Sequence, residues 1–334
     1  MRRAYAALMF LKHSFLTMAR STGLSAVARK ATRSKLRILC YHGLWTTPGF
    51  AFGNCMFISP EMFEARMAWL RKSGLPILPL AEAVERLGDN SLPEAAVAIT
   101  IDDGWVSTFT HMLPVLEKYR LPATLYATTW YAGRDLPVVN VAVDYLRAAA
   151  GRQEINGAAK TAEIEALPVA ERLAALRAFG AELGVDEAWL ETRQFHIMSA
   201  DELAEAHRRG LDVQLHTHRH IELDTNVAAL PEEIAENRAW LQAAIGDREF
   251  SHFCYPSGAH HPDAGPLLAA NGVRSATLVT PGLNGPGTDP YQLRRFLDGR
   301  DISEAEFEAY LSGVLYYARP LGALLRRRLG VTGG

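Results

Sequence analysis

Short apolar runs alternate with amphipathic helical stretches along most of this chain, and that alternation constrains the fold more than any other feature. LRILCYH (36–42), AAVAITI (95–101), PATLYAT (122–128), LDVQL (211–215), FSHFCY (250–255) and VRSATLV (273–279) each read as a buried strand. Helical punctuation separates them. In SPEMFEARMAWLRKSG, Ser59 is a natural N-cap, Pro60 suits the first helical position, Phe63, Met67 and Leu70 keep helical spacing, and Gly74 suits the C-terminal cap. In SADELAEAHRRG, Ser199 and Glu202 match a capping box, and PEEIAENRAWLQAAIG opens on Pro231. Strand then helix, repeated, demands a parallel sheet with helices over its faces. About seven strand signals over this length fit an α/β barrel better than an open sheet.

Residues 135–198 break the rhythm. They are rich in Ala, Glu, Leu and Arg, keep helical periodicity in VAERLAALRAFGAELG, and contain no strand signal. They read as a helical insertion within one domain that runs from 36 to 334. Residues 1–35 read as a basic amphipathic arm. Arg2, Arg3, Lys12, Arg20, Arg29, Lys30, Arg33, Lys35 and Arg37 all precede the first acid, Glu61, while Tyr5, Leu8, Met9, Phe15 and Leu16 share one side of a helix. AYAALMFL is short for a signal-peptide core, and no clear cleavage site follows it, so the expected location is cytoplasmic. Two readings of the arm stand: peripheral contact with an anionic membrane surface, or a helix packed on the domain with its charges in water.

Composition bounds the partners. The net charge of −2 supplies no overall field for nucleic acid. Cys40, Cys55 and Cys254 are scattered and odd in number, which fits neither a disulfide framework nor a thiolate zinc site. Chemistry in a parallel barrel sits at the C-terminal ends of the strands. His42 ends the first strand, Asp102 and Asp103 another, His216 follows a third and Pro256 a fourth. Taken alone, DDG is a polar turn and HTHRH a histidine-rich one. Their convergence on one face points to a site. A hydrolytic metal centre needs about three protein ligands and an open position for water. His216 and His220 offer two imidazoles, and either aspartate of TIDDG offers a carboxylate. Zinc suits such a set, and cobalt, nickel or manganese also fit. The remaining carboxylate can take a proton from the attacking water.

ITIDDGWVSTF, HTHRH and FCYPSG, in this order at successive strand ends, resemble the first three motifs of the polysaccharide deacetylases, the NodB-homology or carbohydrate esterase family 4 group. RILCYHGL and SPEMFEARMAWL resemble the N-terminal part of one bacterial subgroup, and the resemblance covers about residues 36 to 300. It implies a distorted (β/α) barrel and metal-dependent removal of N- or O-acetyl groups from a glycan, an acetylated saccharide being the substrate. Carried over by motif position, Asp102 resembles the catalytic base, and Asp103, His216 and His220 the ligands of one divalent ion, zinc first. His218 lies outside that set, Thr217 would hydrogen-bond within its loop, and Tyr255, Pro256, Ser257 and Gly258 would wall the substrate groove, with a backbone N–H near Ser257 as oxyanion donor.

Three departures stand out. Cys254 occupies a position, two residues before the motif's proline, where many relatives carry an arginine that contacts the catalytic aspartate. Ser257 replaces an aromatic residue. The late motif that usually ends in a histidine acid is matched only by YQLRRF, which offers Arg294 and Arg295. Arg295 is then expected to bind substrate or to hold a carboxylate in place, and His42 is either the general acid or a structural histidine. Three readings result: a saccharide deacetylase, an amidase of the same fold acting on a small amide, and a glycan-binding relative without turnover. The Asp102, Asp103, His216, His220 set favours the first two.

Overall fold

The computed structural model describes residues 16–19, 21–52 and 56–317. Nine strands are assigned among them: β1 (Arg37–Tyr41), β2 (Gly43–Leu44), β3 (Phe57–Ile58), β4 (Val97–Asp103), β5 (Thr124–Ala127), β6 (Asp212–Leu215), β7 (His252–Cys254), β8 (Ser275–Thr277) and β9 (Phe296–Leu297). Seven form one parallel sheet in the order β8-β7-β6-β5-β4-β1-β9. The sheet curls until its edges approach. Leu293 pairs with Thr277 beside β8, and three residues later Phe296 pairs with Leu39 of β1. The stretch 293–297 therefore bridges both edges, and the distorted (β/α) barrel expected from the sequence is the fold observed.

Alternation along the strands sorts side chains into two sets. Leu39, Tyr41, Val97, Ile99, Ile101, Val213, Leu215 and Phe253 join the large core between sheet and helices. Ile38, Ala98, Tyr126, Cys254 and Leu293 form a separate cluster. With them go the buried polar residues Thr100, Asp102, Gln214, His216 and Arg295, so the barrel's interior becomes polar toward its C-terminal end.

The helices pack outside. They are α1 (Leu24–Ala31), α2 (Pro60–Lys72), α3 (Leu80–Gly88), α4 (Leu113–Tyr119), α5 (Val139–Ala149), α6 (Gly157–Glu165), α7 (Val169–Glu182), α8 (Ala188–Glu191), α9 (Ala200–Arg208), α10 (Leu230–Ile245), α11 (Ala264–Ala270) and α12 (Glu304–Leu311). Helix α2 starts as its sequence dictates, with the Ser59 hydroxyl accepting from the Met62 N–H and Pro60 in the first turn. It buries Phe63, Met67 and Leu70, each worth about 1.5–3 kcal/mol. The capping box of Ser199 and Glu202 is present in α9.

The insertion is helical as expected, α5 to α8, with its own aromatic core of Tyr145, Trp189 and Phe195. It returns to the barrel where Ile197 bridges Trp105. Tyr5, Leu8, Met9 and Phe15 of the arm lie outside the described residues. Leu16, Ala19 and Ala28 are buried in the principal core, so the described part of the arm packs on the domain. Sequence reasoning missed β2, β3 and β9, each only two residues long. A strand that short carries no periodicity.

Candidate active site

Two carboxylates leave the end of β4 in different directions. Asp102 continues the inward row of Thr100. Asp103 follows the alternation only until its backbone turns left-handed, at φ 71°, and Gly104 continues the turn at φ 94°. A left-handed conformation costs a side-chain-bearing residue roughly 1–2 kcal/mol and persists only where its surroundings enforce it. Trp105 helps enforce it here, its indole N–H donating to Asp103 Oδ2 at 2.7 Å. The other oxygen, Oδ1, faces His216 Nε2 at 3.2 Å and His220 Nε2 at 3.4 Å.

The two histidines are held by the loop after β6. Helix α10 buries the stripe Leu230, Ile234, Asn237 and Leu241. Asn237 accepts from the His216 N–H at 3.0 Å and donates to Ala127 O and Thr129 Oγ1, which ties the ends of β5 and β6 together. Arg219 pairs with Glu233 at 2.8 Å and with Glu236, pinning the loop to the same helix. Thr217 and His220 are left-handed, at φ 61° and 57°. The expected hydrogen bond of Thr217 is not made: its hydroxyl is buried without a partner. His218 turns to Thr129, its Nδ1 at 2.8 Å from the hydroxyl, and lies outside the ligand set.

Asp103, His216 and His220 bring one ligand atom each within 4.8 Å of one another. The chemistry of these donors fits a cation. His216 Nδ1 lies 2.8 Å from the carbonyl oxygen of Cys254, which can only accept, so Nδ1 carries the proton. Nε2, on the far side of the ring, faces the Asp103 oxygen, and atoms of this kind at this distance require a proton or a metal ion between them. Burial opposes the charge of Asp103, but its bonds to His216 and His220 hold its carboxyl well below the usual range.

Asp102 stands beside this cluster and is held differently. Arg295 grips it with two bonds of 2.7 Å, Nη1 to Oδ1 and Nη2 to Oδ2, and the guanidinium also donates to Thr100 Oγ1 and Leu278 O. Cys40 and Cys254 place their sulfurs 3.5 and 3.4 Å from Oδ2. Burial pushes the Asp102 carboxyl up, but Arg295 outweighs it and brings the carboxyl down to about 2. His42 stands at the end of β1 with Nε2 3.8 Å from Asp102 Oδ2.

Further expectations are corrected. Arg295 is fully buried behind Asp102 and cannot touch a substrate; of its two expected tasks it performs the second, holding a carboxylate. The arginine missing at Cys254 is thereby supplied from the bridging stretch next to β9. Tyr255 does not wall the groove. Because Cys254 points inward, Tyr255 points outward, where it is buried with its ring 5.3 Å from Phe253. Pro256 is buried too. Ser257 and Gly258 alone of that set present surface, on a left-handed turn at φ 55° and 68°. Sequence reasoning also missed Trp105 and Asn237. Asn237 did carry a signal, since it is a polar residue in the buried 230, 234, 237, 241 stripe.

A curled parallel barrel with two histidines and two aspartates at its C-terminal end defines the NodB-homology architecture of carbohydrate esterases of family 4. The sequence pattern of the family described as polysaccharide deacetylase matches residues 89–276, more than half of the chain, and the chain belongs to that family. YxkH of Bacillus subtilis (strain 168) is 35% identical over 103 residues, 30% of this chain and 35% of its own length. Poly-beta-1,6-N-acetyl-D-glucosamine N-deacetylase of Escherichia coli (strain K12) is 35% identical over 69 residues, 20% of this chain and 10% of its own. The matched part thus spans about a third or less of these relatives. Two solved structures share the fold, each at TM-score 0.59 over 84% of this chain. They are Streptococcus pyogenes deacetylase PplD in complex with acetate, at 16% identity and 99% of its length, and IcaB from Ammonifex degensii, at 22% and 97%.

Proposed function

We propose that the protein is a metal-dependent deacetylase that removes acetyl groups from a polysaccharide. The convergence of Asp103, His216 and His220 beside an arginine-held Asp102 carries this reading. In it, Asp103, His216 and His220 would hold one divalent ion, zinc first, and such an ion would supply polarisation of an acetyl carbonyl and a more acidic water. Asp102, ionised at any working pH, takes the proton of the attacking water. Arg295 fixes the direction of that carboxylate, and burial keeps bulk water from competing for it. Several relatives bear the name poly-beta-1,6-N-acetyl-D-glucosamine N-deacetylase, so an N-acetylated β-1,6-glucosamine polymer is the first substrate to test. Acetate release from that polymer, compared with hydrolysis of small linear and cyclic amides, tests the reading. Turnover confined to the small amides would replace it with the amidase alternative.

The ligand assignment has its own check. Purified protein should hold close to one equivalent of divalent metal, and His216→Ala with His220→Ala should abolish it. Full retention in that variant would remove the assignment.

His42 is assigned the general acid. Amide cleavage expels a poor amine leaving group that must be protonated as the C–N bond breaks. His42 flanks the base, and its side chain keeps 13% of its surface in contact with solvent. His42→Ala should lower kcat on amides by on the order of 10²-fold and affect activated esters much less, because a good leaving group needs little protonation. Equal losses on both substrates would mark His42 as structural instead.

A further inference from the structure

We propose that the N-terminal end of the barrel is a docking surface for an anionic lipid bilayer, built where residues 32–37 meet residues 311–316. Exposed large apolar side chains among the described residues are Met18, Leu24, Val27, Phe50, Val169, Tyr316 and Tyr317. Five of these seven belong to two short segments, 18–27 and 316–317. Far apart in sequence, the two segments are brought to the same region because residues 32–37, which follow the first, pack on residues 311–316, which lead into the second. Arg37 Nε donates to Leu311 O at 2.7 Å, a Cβ added to Gly313 would stand 2.4 Å from Thr32 Oγ1, and Lys35 Nζ lies 5.0 Å over the Tyr316 ring. Leu24 and Val27 are one turn apart on α1 and neighbour each other on its surface, Val27 being 65% exposed.

Charge identifies the occupant. The sequence has no acidic residue before Glu61 and none after Glu308. Arg29, Lys30, Arg33 and Lys35 lie on or just after the helix that carries Leu24 and Val27, and Arg33 pairs with the exposed Glu94 at 3.7 Å. A basic rim around exposed apolar side chains matches an interface of anionic headgroups over hydrocarbon. A second copy of the chain would press this basic patch against itself, which like charge opposes. No helix among the described residues is long and apolar enough to cross a membrane, so the contact is one of surface.

The geometry sets an orientation. Helix α1 leads into the start of β1, whereas Asp102, Asp103 and His216 stand at the opposite, C-terminal ends of the parallel strands. A bilayer seated on this patch leaves the site's mouth facing the aqueous side. The inference does not depend on the chemistry of the site.

The test is co-sedimentation of the full chain with vesicles of mixed phosphatidylglycerol and phosphatidylcholine, against phosphatidylcholine alone. The expected result is binding to the anionic vesicles only, weakening as salt rises. Leu24→Glu with Val27→Glu should lower the partition coefficient by on the order of tenfold or more, with the thermal midpoint unchanged because both side chains are exposed. No binding to anionic vesicles would overturn the proposal. So would binding unaffected by the double substitution, or a concentration-dependent dimer in sedimentation velocity that the substitution abolishes.

Discussion

Arg295→Leu is expected to lose about 3–5 kcal/mol of stability in urea unfolding, the usual cost of leaving one member of a buried ion pair without its partner. The side chain is fully buried and all of its polar contacts are internal: Asp102, Thr100, Leu278 O and the Cys254 sulfur. Its removal leaves a carboxylate with only two weak thiol donors and a histidine at 3.8 Å. The pH dependence follows with a definite sign. In the native protein the Asp102 carboxyl sits at about 2, below its ordinary 3.8, so the pair contributes stability that is complete above pH 4 and lost as pH falls toward 2. Without Arg295, burial prevails and the carboxyl rises, which moves the acidic limb of the activity profile to higher pH. Arg295→Lys keeps the charge but loses the two-pronged grip and should recover only part of the loss. If Arg295→Leu costs the same in an Asp102→Asn background as in the native one, the arginine does not act through Asp102.

Asp102→Asn should keep its metal and lose on the order of 10²-fold or more in kcat, because base catalysis is removed while the ligand set is untouched. The same substitution turns an amide N–H₂ toward a guanidinium that can only donate, so a stability loss of about 1–3 kcal/mol should accompany it. Metal analysis beside initial rates separates the outcomes. An Asp102→Asn variant that loses its metal would mean that the roles of Asp102 and Asp103 are exchanged.

The barrel was legible because its strands are buried on both faces and read as plain apolar runs, as VAITI in β4 does. The metal-ligand group was legible because His216, His220 and Asp103 follow such runs directly. The role of Arg295 stayed open between two tasks for a physical reason. The paired arginines of YQLRRF have no periodicity to place them, and the strand that follows them is two residues long. What fixes the direction of Arg295 is the closure of the barrel, with Leu293 on β8 and Phe296 on β1, a long-range event that local sequence does not encode. Tyr255 was misread although the information was present. Alternation from Cys254 puts it on the opposite side, and the motif alone obscured that.

Acetate release from an N-acetylated β-1,6-glucosamine polymer, measured before chelation, after chelation and after return of one equivalent of zinc, tests the central claim most directly. The account predicts loss of activity on chelation and its recovery with zinc in the native protein, and neither activity nor recovery in the His216→Ala, His220→Ala variant. Acetate release that persists after the metal has been removed would contradict it.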